Sequence, residues 1–427
     1  MPPSRLTESL MPMPRLQFAS SLSRLVNTAD AVREATASLR LQLQGAPDLV
    51  VVFLSNHHKE KAQEIIDLIF HELEPGTLIG CNAEGIIGES AEIEGAHAIS
   101  LFAGVMPEVE LTPFHLGEDM YDTLECDHGY SDLWEEIGLP EDDNLRCFLL
   151  FGDPYTCPIV EAMDALMTFT EWVPIVGGMA SGSGGEGENV LLLHKQVYYE
   201  GAVGMTVTGN IGVRTVLSQG CTPIGERALV TRAENDVVYS IGEKTALQYA
   251  EEVLERIPEE AQELAQNGLL IGIAMNEYQD DFDRGDFVIR NVLSADPTTG
   301  EIVIGDMVEA GQTVQYQVRD AKSADKELRR MLFATAAQEA PAPAGILLIS
   351  CNGRGVSLFG EPNHDLNCVL NAFPETPLAG IHASGELGPV GGQNFIHGFT
   401  ASILLFQPLT AIETVAEGVE ERDYLPD

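Results

Sequence analysis

The chain has 427 residues, 44% of them hydrophobic, and carries 66 acidic against 23 basic side chains, a formal net charge of −43. A field of that sign repels nucleic acid and anionic membranes, which bind through Lys/Arg patches, so neither is expected as a partner and an acidic, solubilising surface is. No apolar run of membrane-spanning length or signal peptide is recognised, and the seven scattered cysteines lack a CxxC pair, which argues against a disulfide framework or a zinc ribbon; a soluble, reduced, cytoplasmic protein is expected.

Residues 1–15 are proline-rich and aperiodic and predict a flexible tail. Thr28 is placed to cap a helix with Val32, Ala35, Leu39 and Leu43 on one face, ending at Gly45. The apolar run Leu49 to Leu54 predicts a buried strand. Ala62, Ile65, Ile66, Ile69, Phe70 and Leu73 then recur at helical spacing. A glycine-rich element, GCNAEGIIG at Gly80 to Gly88, reads as a loop that lets backbone approach a ligand, and a strand-like run from Ala98 to Gly104 follows. The order then repeats. Cys147 to Phe151 is a strand, Pro158 opens a helix with Ile159, Met163, Leu166 and Met167 inward, GGMASGSGG spans Gly177 to Gly185, and Ala202 to Thr208 is a strand.

QGCTPIG, Gln219 to Gly225, lies near the boundary between two halves, 16–237 and 238–410. Ser240 and Glu243 have capping-box spacing ahead of a helix carrying Leu247, Ala250, Val253, Leu254 and Ile257. Strands are expected at Leu269 to Met275, Phe287 to Leu293, Glu301 to Ile304 and Thr313 to Arg319, with DPTTG as a hairpin turn. A helix from about Ser323 to Ala337 leads into the third copy: strand Ile346 to Ile349, a helix with Leu366, Val369, Leu370 and Phe373, the element GIHASGELG at Gly380 to Gly388, and strand Thr400 to Phe406. Residues 411–427 form an acidic tail. The expected fold class is α/β (α+β): two related halves with mixed β-sheets built from repeated βαββ-like units, helices packed on the sheet faces.

LQFASSLSR, LVVVFLS, GCNAEGIIG, QGCTPIGE, SCNGRG and GIHASGELGP occur in this order, and over about Leu16 to Phe406 the chain resembles the paired FIST N and FIST C domains. The resemblance implies a sensory module of signal transduction that binds small ligands such as amino acids. Many relatives are fused to kinase, cyclase or chemotaxis modules, some to an F-box, and one branch is described as haem-based nitric oxide sensors. No such output module is recognised here, so a signalling partner encoded separately is expected.

The last copy offers the richest chemistry. In SCNGRG, Gly353 and Gly355 flank Arg354, whose planar guanidinium matches a carboxylate, with Asn352 beside it. Glu386 suits an ammonium group, and His382 and Ser384 share its loop. Together they suggest an amino-acid clamp; alternatively, Arg354 and Glu386 pair with each other and only lock two loops. In the first copy Cys81, Asn82 and Glu84 occupy the related place, whereas Ser181 and Ser183 give the second copy hydroxyls without charge. Cys351 reads as a buried small residue or, in a thiol-dependent hydrolase or transferase, as a nucleophile served by His382 or His364. A non-catalytic interaction scaffold is a third reading. His57 and His58 suit loop exposure, and His115, His128, His364, His382 and His397 lack zinc-motif spacing, so no metal site and no haem ligand is assigned. With no Walker sequence and no strand-linked GxGxxG, nucleotide binding is not expected.

Overall fold

The computed structural model describes residues 15–117, 144–168, 173–266, 268–277, 282 and 286–409. Apart from Arg15, both predicted tails lie outside these residues, as does His128. The first repeat unit runs β1 (Gln17–Ser23), α1 (Thr28–Gln42), β2 (Leu49–Ser55), α2 (Ala62–Leu73), β3 (Thr77–Ala83), a hairpin of β4 (Gly85–Ile87) and β5 (Glu92–Glu94), and β6 (Ile99–Val105). The second has β7 (Val109–Leu116), β8 (Leu145–Gly152), α3 (Ile159–Met167), β9 (Ile175–Met179), a hairpin of β10 (Leu191–Leu193) and β11 (Gln196–Tyr198), and β12 (Ala202–Gly209). The third opens with β13 (Gly212–Ser218) and is then interrupted by β14 (Cys221–Pro223), β15 (Ala228–Glu234), β16 (Val237–Ile241), β17 (Lys244–Thr245), α4 (Ala246–Arg256), α5 (Glu259–Gln266), β18 (Leu269–Ala274), β19 (Phe287–Ala295), β20 (Ile302–Ile304) and β21 (Thr313–Arg319). It resumes with α6 (Ala321–Ala336), β22 (Gly345–Cys351), the short α7 (Gly355–Phe359), α8 (His364–Ala372), β23 (Leu378–Ala383), a hairpin of β24 (Glu386–Val390) and β25 (Gln393–His397), and β26 (Ala401–Gln407).

Each unit makes the same four-strand arrangement: a parallel pair joined by a helical crossover, with the last strand antiparallel between the first strand of that pair and an outer strand. The hairpins are exchanged. β4–β5 of the first unit completes the third sheet, β10–β11 of the second completes the first, and β24–β25 of the third completes the second, giving three six-stranded sheets. The interrupting strands form a separate eight-stranded sheet in which β18 pairs back onto β21, closing a barrel. The division expected at 237/238 falls within β16, just past the β15–β16 turn, inside that barrel.

The three sheets surround one core, and alternation along each strand explains how. Leu49, Val51 and Phe53 face a shared interior with Leu149, Phe151, Leu347, Ile349 and Ile381, while Val50, Val52 and Leu54 pack under α1 and α2. Strands apolar on both faces are what a two-sided sheet needs, hence the uninterrupted runs in the sequence. Phe18 stacks on both Phe102 and Phe406, with centroids 5.0 Å away in both cases, tying the first sheet to the third. The barrel has its own core around Val230, Ile271, Ile302, Val314 and Tyr316.

The mixed-sheet α/β class and the strands match the reading from sequence, but several local details differ. Asn27, not Thr28, caps α1 by accepting from the Asp30 N–H, because Thr28 is already helical and its hydroxyl meets His58 Nδ1 at 2.9 Å. The capping box of α4 is Thr245 with Gln248, since Ser240 is committed to β16, where it pairs with Arg232 and Thr245. His58 is buried, not exposed: a turn of 3-10 helix at Asn56–Lys61 turns it inward against His97, and burial lowers its pKa to about 4. The glycine elements do not begin as loops either. Gly80, Gly177 and Gly380 lie within β3, β9 and β23, where a Cβ would sit 1.8 Å from the carbonyl oxygen of Val52, Leu150 or Leu348 on the parallel neighbour. The recurring glycine therefore serves close strand approach.

Candidate functional site

The C-terminal ends of the parallel strands are brought together by the three-sheet arrangement. Ser181 Oγ, from the second copy, donates to the His382 carbonyl of the third (2.5 Å) and accepts from the Glu84 N–H of the first (2.8 Å). Asn352 Nδ2 lies 3.4 Å from Glu84 Oε2. The residue immediately after each first parallel strand is polar: Asn56, Asp153 and Asn352. In the first two units it is locked in a buried network, where Asn82 Nδ2 donates to Asn56 Oδ1 and Asn189 Oδ1 and Asn189 Nδ2 donates to Asp153 Oδ1. Asn352 is exposed and lines a cavity.

This cavity, of about 280 Å³, lies where the barrel strands β18 and β19 meet the ends of β22, β23 and β25. Cys351, Asn352, Ser384, Arg290, Ile396 and Phe399 are among its walls. Behind Cys351 the Glu386 carboxyl is fully buried: Oε2 accepts from the Thr400 N–H at 3.0 Å, and Oε1 has no well-formed hydrogen bond among the described residues, with the Cys351 thiol and the Gly385 N–H beside the carboxyl. Burial raises the Glu386 pKa to about 8, and burial together with the Glu386 charge pushes the Cys351 thiol well up. Arg319, at the end of β21, lies over the Phe399 ring with its Nε buried and without a hydrogen-bond partner among the described residues, and Cys351, Arg354 and Glu386 act on its charge. Arg290 Nε pairs with Asp306 at 2.6 Å and its Nη1 donates to the Ile396 carbonyl at 3.0 Å, pinning the barrel to β25.

The predicted residues divide accordingly. Asn352 and Ser384 line the cavity, and Gly353 packs on Phe399 beside Arg319. Arg354 is not presented to a ligand and does not pair with Glu386. It is 0% exposed, and its Nε and Nη2 donate to the two oxygens of Asp365 at 2.7 and 2.8 Å, because α8 brings Asp365 under the end of β22. The Arg354 charge holds Asp365 well below the usual carboxylate range against the burial that would raise it. Cys81 and Asn82 are fully buried, one in the shared core and the other in the polar network. Glu84 is exposed at the rim. His382 and Gly355 belong to a separate cluster with Glu92 and Glu94. Neither proposed base serves Cys351: His364 lies between Asp325 and Asp365 at 2.9 Å from each, and its pKa rises to about 10 because the hydrogen bonds and charges of Asp365 and Cys368 outweigh burial. Arg319, Arg290 and Phe399 were missed as site residues because they come from the barrel and the β25–β26 link, outside the repeat.

Residues 48–244 match the FIST N domain and residues 246–389 the FIST C domain. The chain belongs to the FIST family, which is associated with small-ligand sensory signalling, and a two-half organisation fits these domains. It is 39% identical over 386 residues to an uncharacterized protein of Mycobacterium tuberculosis, covering 89% of this chain and 98% of that protein. An uncharacterized protein of Mycobacterium bovis is 36% identical over 381 residues, covering 88% and 95%. Among solved structures, cyanuric acid hydrolase from A. caulinodans matches with a TM-score of 0.35 and 6% identity over 93% of this chain and 100% of that one. Nothing about activity follows from a likeness at that level. No helix among the described residues is long and apolar enough to cross a membrane.

Proposed function

We propose that this FIST protein senses a small polar metabolite of amino-acid size, held in the cavity between the barrel and the ends of β22 and β23. The observation that carries the reading is the buried Glu386 carboxyl, with one oxygen lacking a well-formed hydrogen bond among the described residues, behind Cys351 in the cavity wall. An unsatisfied buried carboxyl is costly unless something meets it, and clefts outside the carboxyl ends of parallel strands are common ligand positions. Asn352 and Ser384 supply neutral hydrogen bonds at the rim, Glu386, protonated near neutral pH in the free protein, releases its proton to solvent when an ammonium group meets it, and Arg319 takes the carboxylate role expected of Arg354. A ligand there touches both the barrel and the three-sheet body, so occupancy shifts the seam fixed by Arg290, and a separately encoded cytoplasmic partner reads that shift. The volume is at the lower end of small-molecule sites, which suits an amino acid better than a macrocycle. His397, which lines the cavity, has its Nε2 engaged with the Gly388 carbonyl at 3.0 Å, so the site is assigned no haem; purified protein is expected to lack a Soret band. The role is binding, not thiol catalysis, because the elevated Cys351 pKa keeps the nucleophilic thiolate scarce.

Thermal denaturation in the presence of individual amino acids and other small polar metabolites tests this reading. At least one compound is expected to raise the melting temperature, and Ser384→Trp, which fills the cavity from its exposed rim, to abolish the rise. No stabilisation by any compound, or a rise unchanged in Ser384→Trp, overturns the reading.

A further inference from the structure

The hairpin β4–β5 carries Glu92 and Glu94 into the third sheet, where β4 pairs with β23 and so sets both carboxylates beside His382. One donor atom from each of the three side chains lies within 4.8 Å of the other two. His382 Nε2 and Glu92 Oε2 are 4.0 Å apart, too far for a hydrogen bond, and both are buried with no hydrogen-bond partner among the described residues. Two unsatisfied buried polar atoms this close together call for a partner that meets both. The cluster is also held in place. Glu92 Oε1 accepts from the Leu366 N–H at 2.7 Å, its own N–H donates to Asn363 Oδ1 at 2.7 Å, and Glu94 Oε1 accepts from the Val356 N–H at 3.0 Å. Gly355 keeps the space open, since a Cβ there would lie 2.6 Å from Glu94 Oε1 and 2.8 Å from His382 Cε1.

The local field favours a cation. Glu94, Asp365 and Glu84 all act on His382 as negative charges, and the nearby cation, Arg354, is tied to Asp365. We propose that Glu92, Glu94 and His382 bind a divalent first-row transition cation of the zinc or manganese class, linking the exchanged hairpin of the first unit to β23 of the third. One imidazole and two carboxylates suit such an ion better than Ca²⁺ or Mg²⁺, which prefer all-oxygen shells. The donor atoms of an ion bound at ~2.1 Å stand about 3–3.5 Å apart, so the cluster contracts on binding, helped by exposed Glu94. The other close grouping of metal-capable side chains, Asp325, His364 and Cys368, is already joined by hydrogen bonds, with Arg329 also on Asp325.

The test is calorimetric titration of chelator-treated full-length protein with Zn²⁺ and, separately, Mn²⁺. One equivalent of Zn²⁺ or Mn²⁺ is expected to bind, at least tenfold more weakly in His382→Asn and in Glu94→Gln, and unchanged in Asp325→Asn. Glu94→Gln alters an exposed side chain and keeps the acceptor for Val356, so a folded variant is available even if His382→Asn is not. No bound equivalent in the wild type, equal affinity in Glu94→Gln, or loss of binding in Asp325→Asn instead would overturn the proposal.

Discussion

A guanidinium as deeply buried as that of Arg354 is tolerated because Asp365 meets it with two hydrogen bonds, with Ser350 Oγ donating to the same carboxylate at 2.7 Å. Glu386, also buried, has no ion pair among the described residues, and burial opposes its ionisation. Its folded-state pKa of about 8 lies above the ordinary 4.5, so the stability from the protonated carboxyl is fully present below about pH 4.5 and lost as the pH rises through about 8. Glu386→Gln keeps an acceptor for the Thr400 N–H and removes the titration. Between about pH 5 and 8 the variant is expected to gain on the wild type by up to about 1.4 kcal/mol per pH unit, read from urea midpoints at each pH. A difference that stays constant or reverses over that range contradicts a buried, unpaired carboxyl. The sequence singled out Arg354 and Glu386 but did not show Asp365 as the partner of Arg354, because the choice among Asp365, Glu386 and a ligand depends on where α8 packs.

At the scale of elements, the sequence was most informative where a strand or helix is fixed by its own pattern. LVVVFL, CFLLF and ILLI are β2, β8 and β22 because strands buried on both faces need no polar alternation, and α2 and α8 show their buried faces as three- and four-residue spacings. The glycine elements were read as ligand loops, whereas their first glycine is set by the carbonyl of the neighbouring strand, which sequence does not display. Gly380→Ala is therefore expected to cost about 3 kcal/mol or more, or to abolish folding, because its Cβ would collide with the Leu348 backbone. Gly45→Ala, with nothing within 4 Å of the added Cβ, serves as the control and changes stability by less than about 1 kcal/mol. Comparable denaturation midpoints for the two variants would remove the close-approach explanation.

For the whole molecule, the exchanged hairpins matter more than the division into FIST N and FIST C. The first unit supplies β4–β5 to a sheet of the C-terminal half, that half returns β24–β25 to β9, and β13 pairs with β26. A fragment of residues 16–237 lacks these partners, leaves apolar strand edges open, and is expected to be insoluble or to give no cooperative thermal transition; a cooperatively folded monomer would contradict interdependent sheets. The repeat announced three related units, but the exchange was illegible, since the pairing of β4 with β23 leaves no local pattern in either strand. The same exchange assembles Glu92 and Glu94 with His382, and the barrel insertion supplies Arg319 and the cavity wall. The most direct test of the account is a crystal structure with a metabolite that stabilises the protein. The account predicts ligand density between Asn352, Ser384 and Phe399, with a carboxylate toward Arg319 and an amino group toward Glu386. Density at another site, such as the hollow bounded by Arg15, Glu108 and Leu409, with the cavity beside Cys351 left empty, would contradict it.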